Sequence, residues 1–218
     1  MKYLSFSLWG GKPLYNIGAI RNAELCKTIY PDWKMVVYYN NSVPKETITT
    51  LNELGVELYE MDDSIYPPFW RFLISEKQDC EYSIFRDCDS RITVREKLAV
   101  DEWITDGKSI HIMRDHPYHR IPAGNTTIGI LAGMWGIKGN IIPMRDMIID
   151  FIRGKNNIYG IDQSFLKNIY ERFKDDSCVH DEFFENKPFP IKREHGVFVG
   201  GRIDENDKPV GNDYSLII

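Results

Sequence analysis

Asp87-Cys88-Asp89 sets two carboxylates one residue apart, directly after the apolar and aromatic run 82–85. Carboxylates at that spacing on a turn can hold one divalent cation, and their hard oxygens suit Mg2+ or Mn2+. Such a cation could bridge the two phosphates of a nucleoside diphosphate and neutralise charge that develops as it leaves. The same spacing also serves solvated turns and helix starts, so position decides its meaning. Here a predicted strand precedes it, and Arg86 and Arg91 flank it.

Other residues could join such chemistry, each with a plainer alternative. Arg71 lies mid-helix between Trp70 and Phe72, where it is either solvated or a fork for phosphate oxygens. Asp162 and Gln163 open a helix after Tyr159-Gly160; capping alone explains the aspartate, yet within hydrogen-bond reach it could act as a base. Trp9-Gly10-Gly11, with Tyr15, Asn16 and Arg21, is a strand-to-helix turn whose glycines would let a ligand approach the backbone. It is not a GxGxxG fingerprint, and no GKS/T phosphate loop occurs. Asp115, His116 and His119 fall at another strand end, where a histidine metal site or a polar pocket wall would fit. Gly133-Met134-Trp135 combines a small residue with two that are equally suited to the core.

These groups need a frame. Strands are expected over 2–8, 34–39, 56–61, 82–85 and 110–113, from their β-branched and aromatic runs. Between them lie helices from Asn16 as cap to about 30, from Pro44 to 54 with Gly55 as stop, from Pro68 through Leu73, and over 93–105. Residues 115–126 read as a loop, and 128–135 as a strand kinked at Gly133. Helices follow over 143–153 and 162–173, and the chain from Asp181 reads as irregular except for a short strand over 196–199. Alternation of this kind gives an α/β fold with a mostly parallel central sheet and helices on both faces. In such sheets ligands bind outside the carboxyl ends of the strands, and the strand over 82–85 delivers Asp87 and Asp89 to that edge.

The 218 residues suit a single domain, with a core over 1–184 and an irregular tail over 185–218. A net charge of −5 gives no basic field for nucleic acid, so a phosphate-rich ligand needs a metal or a few placed arginines. Cys26, Cys80, Cys88 and Cys178 show no CxxC pairing and read as reduced thiols of a cytoplasmic protein. No stretch reaches the ~20 apolar residues that span a bilayer, and the first residues make no signal-peptide core.

The segment FRDCDSR resembles the metal-binding motif of GT-A-type, nucleotide-sugar-dependent glycosyltransferases. FWRFL one helix upstream, then IGILAGMWG, YGIDQSFL and VHDEFF downstream, follow the motif order of small bacterial and large-virus transferase domains and of glycogenin-like enzymes. The resemblance runs from about Tyr3 to Phe184. It implies a single GT-A (Rossmann-like) domain that moves a hexose or deoxyhexose from a UDP- or GDP-sugar to a hydroxyl of a carbohydrate acceptor on a glycan, lipid or protein. It implies that Asp87, Asp89 and His180 bind the metal, an imidazole favouring Mn2+ over Mg2+. Trp9, Gly10, Tyr15, Arg21, Arg71, Arg86, Cys88, Asp115 and Gly133 would hold the donor, Asp162 would serve catalysis, and Trp135 and Gln163 would face the acceptor. The same aspartates could also serve a nucleotidyltransferase or phosphohydrolase, or a non-catalytic sugar-binding domain.

Overall fold

Runs of large apolar side chains that water cannot reach set the middle of the sheet. The computed structural model of the chain describes residues 1–214 apart from 63, 120, 124–125, 195 and 212–213, and the backbone alone over 121–123 and 126–128. In chain order the elements are β1 (Lys2–Leu8), α1 (Pro13–Ile29), β2 (Lys34–Tyr39), α2 (Lys45–Glu53), β3 (Glu57–Glu60), α3 (Pro67–Trp70), β4 (Tyr82–Phe85), α4 (Val94–Asp106), β5 (Ile110–Arg114), β6 (Ile121–Ala123), β7 (Thr126–Ile128), β8 (Trp135–Lys138), α5 (Met144–Ile152), α6 (Ile161–Phe173) and β9 (Ser177–Asp181). A 3-10 turn, Arg71–Glu76, continues α3.

Seven strands form one sheet in the order β3-β2-β1-β4-β8-β5-β9, parallel throughout except for β8, which runs antiparallel to both neighbours. Alternate side chains along β1 feed two cores. Leu4, Phe6 and Leu8 pack with α1, α2 and α4, while Tyr3 and residues of β2, β4, β5 and β8 pack with α3, α5 and α6. Helices therefore cover both faces, as the alternating pattern demands. Among the described residues no helix is long and apolar enough to cross a membrane.

Several expectations change. Pro13, with its preset φ, starts α1, and Asn16 sits inside the first turn, donating to the carbonyls of Gly10 (3.0 Å) and Lys12 (2.9 Å). Residues 115–126 hold a short 3-10 turn and the start of a hairpin, β6 with β7. Of the expected strand over 128–135, Ile128 ends β7, residues 129–134 are a largely buried loop, and β8 begins only at Trp135. Apolar composition there reflects burial rather than extension. The expected strand over 196–199 is absent, whereas β9, unforeseen, pairs with β5 along the sheet edge.

Candidate active site

The carboxyl ends of β1, β2 and β4 share one edge of the sheet, and β4 runs out into Arg86-Asp87-Cys88-Asp89. Helix α1 grips that loop through two residues. Gly18 lies so close that a Cβ would stand 1.9 Å from the Cys88 carbonyl oxygen. Asn22 is buried and pairs with both directions of the backbone, donating to Ser90 O (2.8 Å) and accepting from Ile92 N–H (3.0 Å). Ser7 of β1 ties in the third element: its hydroxyl accepts from Arg71 N–H (2.9 Å), and its carbonyl accepts from the Cys88 thiol (3.4 Å). The loop is thus held through its backbone, with the Asp87 side chain half-exposed and that of Asp89 mostly buried.

Arg71 is buried and joins the two acidic sites. One guanidinium nitrogen meets the Arg86 carbonyl (3.0 Å) and Asp87 Oδ1, and the other meets Asp162 Oδ2 (3.2 Å). Burial alone would lower the Arg71 pKa, but Asp87 and Asp162 carry it upward, so the cation is firmly charged. Asp162, in the first turn of α6, has its pKa raised by burial, which outweighs the opposing pull of Arg71. Burial first, and then the Asp87 carboxylate, raise Asp89 as well, against the pull of Arg202. Arg202 reaches Asp89 Oδ2 from the C-terminal segment (3.1 Å), whose Ile203 N–H also bonds the Asp89 carbonyl (2.7 Å). The Tyr15 hydroxyl is held in its protonated form by burial and then by the charge of Asp89, which places that ring beside the acidic pair. Gly133 closes the opposite wall, where a Cβ would lie 2.0 Å from Asp87 Oδ2.

The structure thus brings Asp87, Asp89, Arg71, Asp162, Tyr15 and Gly133 together, with Trp9 and Gly10 at the end of β1 on the same edge. Trp9 is half-exposed, edge-on to Trp70 at 6.5 Å, and the Gly10 N–H donates to Ser42 Oγ (2.8 Å). Other candidates are placed elsewhere. His180 is on β9, three strand spacings or roughly 14 Å from β4, and bonds His111 and Glu102. Asp115 is 0% exposed, and its oxygens accept from Arg95, Arg193 and the Val199 N–H, so no sugar hydroxyl can reach it. Arg86 turns into the core to pair with Glu96 (2.9 Å), each side chain 1% exposed. Cys88 is buried beneath its loop, and Trp135 is a core ring between Phe72 and Phe85.

Gln163 is a clamp rather than an acceptor contact: its amide donates to Ile130 O (2.8 Å) and accepts from Ala132 N–H. It thereby ties α6 to the loop that carries Gly133. Arg21 lies outside the acidic pair, bonded to Glu24 (3.0 Å) and to Asp207 of the C-terminal segment (3.5 Å). His116 and His119 sit against Phe198, with the His119 pKa lowered to about 3 by burial, which favours a neutral packed ring. Sequence reasoning missed Gly18, Asn22 and Arg202. Only the Gly200-Gly201 pair ahead of Arg202 hinted that the tail is shaped to pack closely.

No protein-family model and no curated protein matches the sequence. Solved structures do. The chain superposes on Staphylococcus aureus TarS 1–349 with a TM-score of 0.57 at 14% identity, covering 86% of this chain and 59% of that one. This chain has the GT-A fold. It matches the galactosyltransferase LgtC, solved with donor and acceptor sugar analogs, at a TM-score of 0.52 and 14% identity, over 82% of this chain and 73% of that one. Mycobacterium tuberculosis glucosyl-3-phosphoglycerate synthase, solved with Mg2+ and UDP, matches at 0.50 and 12%, over 89% and 72%. The GT-A domain described here spans under two thirds of the TarS structure's length.

The donor set at this GT-A edge fits a hard divalent ion. Burial first, and then repulsion from Asp87, disfavour the Asp89 carboxylate, and a cation would relieve both. With His180 elsewhere, the set is all oxygen and carries no nitrogen preference for Mn2+ over Mg2+.

Proposed function

We propose that the chain is a metal-dependent glycosyltransferase that moves a hexose or deoxyhexose from a nucleoside diphosphate, uridine diphosphate first, to a hydroxyl of a carbohydrate acceptor. The observation that carries this reading is the Asp87–Arg71–Asp162 chain of charge, beside Asp89, at the carboxyl edge of a GT-A sheet. Asp87 and Asp89 would hold Mn2+ or Mg2+, which when bound neutralises charge on the departing diphosphate.

The residues of the chain divide the remaining work. Arg71, buried and firmly charged, and Arg202 at the rim would grip phosphate oxygens by charge-assisted hydrogen bonds. Trp9, Gly10 and Tyr15 would seat base and ribose along the end of β1, where glycine lets the ligand lie against backbone. Gly133, with no side chain, leaves room for the Asp87 carboxylate that packs against it. Asp162 would present its carboxylate to the reacting centre, fixed in aim by Arg71 and by the Gln163 N–H (3.0 Å). Such a site accelerates mainly by orientation and by charge placed before the reaction begins.

The test is turnover of a panel of UDP- and GDP-sugars with Mn2+ or Mg2+. Release of intact diphosphate that disappears in Asp89→Ala is expected. Release of monophosphate or pyrophosphate would mark a nucleotidyltransferase or hydrolase instead, and no turnover with any donor would mark a binding domain.

A further inference from the structure

A second cluster of ligating side chains lies on the other half of the sheet, where the reaction described above has no use for it. Cys178 and His180 are two residues apart on β9 and so point to one face, and His111 of β5 stands opposite Cys178 in the parallel register. That face meets α4, where Trp103 stacks on the His111 ring (centroids 5.5 Å, planes 13° apart). The potential ligand atoms of His111, Cys178 and His180 all lie within 4.8 Å of one another. Glu102 of α4, Asp106, Lys187 and Pro190 border a surface depression that opens onto Cys178 and His180.

One hydrogen bond at these rings is of the kind that orients a metal ligand. His180 Nε2 faces Glu102 Oε2 at 3.0 Å, which fixes the proton on Nε2 and leaves Nδ1 as a lone pair. Nδ1 faces His111 Nε2 at 2.9 Å. Without a metal His111 Nε2–H therefore donates to that lone pair; to ligate through Nε2 the ring would carry its proton on Nδ1, which is buried and has no hydrogen-bond partner among the described residues. A carboxylate on the far nitrogen of a histidine is the arrangement that orients imidazole ligands in metal sites. Ligand nitrogens around a tetrahedral zinc stand about 3.3 Å apart, so the two nitrogens already lie near ligand spacing, and the rings would turn to aim both lone pairs at the ion. Most of the closure would come from the half-exposed Cys178 side chain.

We propose that His111, Cys178 and His180 form a second metal site, for Zn2+ or a similarly soft divalent ion, with Glu102 orienting His180. Two imidazoles and a thiolate select this class of ion over Mg2+, Ca2+ or Mn2+. The ion takes the place of the Cys178 thiol proton, so one proton leaves per ion bound. Its fourth position faces the depression, open to water. The site would pin the edge strand β9 to β5 and α4, giving it a structural role separate from the Asp87–Asp89 edge.

The experiment uses metal-depleted protein carrying Asp87→Ala and Asp89→Ala, so that failure here leaves the reading of those aspartates untouched. Co2+ is titrated and thiolate-to-cobalt charge-transfer absorption followed, and Zn2+ is then added in competition. One equivalent of Co2+ should saturate the band, and Zn2+ should displace it and raise the melting temperature. Cys178→Ser should remove the band and weaken Zn2+ at least tenfold. Glu102→Gln, a change at the surface that keeps the fold, should weaken Zn2+ about tenfold. Absence of the band in protein that retains Cys178, or undiminished Zn2+ affinity in Cys178→Ser and Glu102→Gln alike, would overturn the proposal.

Discussion

Asp89 is a carboxylate placed against its own interest. Its folded pKa is raised above the unfolded value near 3.9, by burial and by Asp87. Such a group contributes stability that is fully present below the unfolded pKa and is lost as pH rises through the folded one. At neutral pH, without metal, Asp89 therefore costs stability. Asp89→Asn should melt no lower than the wild type in EDTA at pH 7 and lose part of the wild type's pH slope just above pH 4, while Mn2+ should no longer raise its melting temperature. A clear fall in the melting point of metal-free Asp89→Asn would mean that Asp89 is there for the fold. Gly133→Ala tests the neighbouring wall. Its Cβ would meet the Asp87 carboxylate rather than backbone, so metal binding should weaken at least tenfold with a melting temperature within a few degrees of the wild type, read by calorimetry on the same sample.

At the scale of elements, the grip of α1 on the loop after β4 is the contact that aims the carboxylates. Gly18→Ala would push a methyl into the Cys88 carbonyl, a backbone atom that cannot step aside. Overpacking of this kind costs about 1–3 kcal/mol, and denaturant unfolding should show it together with weaker metal binding, since the loop must shift. Loss of stability alone, with metal affinity intact, would detach α1 from the site. Here the limits of sequence reading are also visible. β1, β2 and β4 are legible to the residue because strands buried on both faces are rich in aromatic and aliphatic side chains, broken in β1 and β4 only by small serines. The apolar run Ile128 to Trp135 looked the same, yet most of it is a loop buried under Gln163 and Tyr170. β9 is short, mixed in polarity and paired on one side only, so nothing local announces it, and His180, which the resemblance sets with Asp87 and Asp89, lies on it beside His111 and Glu102.

For the whole molecule, charge inside the core separates residues that build the sheet from those that use it. Arg86 and Glu96 are both buried, and Glu96 also accepts from Tyr30. Arg86→Met would strand Glu96 without a cation, a loss of about 3–5 kcal/mol, and chemical denaturation should show it. Where the variant remains folded, its UDP affinity should match the wild type within about twofold; a larger loss would return Arg86 to the donor site. From the sequence, Arg86 looked like a phosphate contact only because it precedes Asp87. Strand alternation sends it inward, and the partner that makes this tolerable lies ten residues away on α4. The tail is illegible for a related reason: Arg91 meets Asp207, and Arg202 meets Asp89, over long separations, and no local pattern encodes such meetings.

The central claim is that two carboxylates at the end of β4 hold a cation that in turn holds a diphosphate. Calorimetric titration of UDP, with Mn2+ and with EDTA, into wild-type protein and Asp89→Ala tests it most directly. UDP should bind the wild type at least tenfold tighter with Mn2+ than without, and that gain should vanish in Asp89→Ala. Equal affinity in Mn2+ and EDTA, or a gain that survives Asp89→Ala, would contradict the claim.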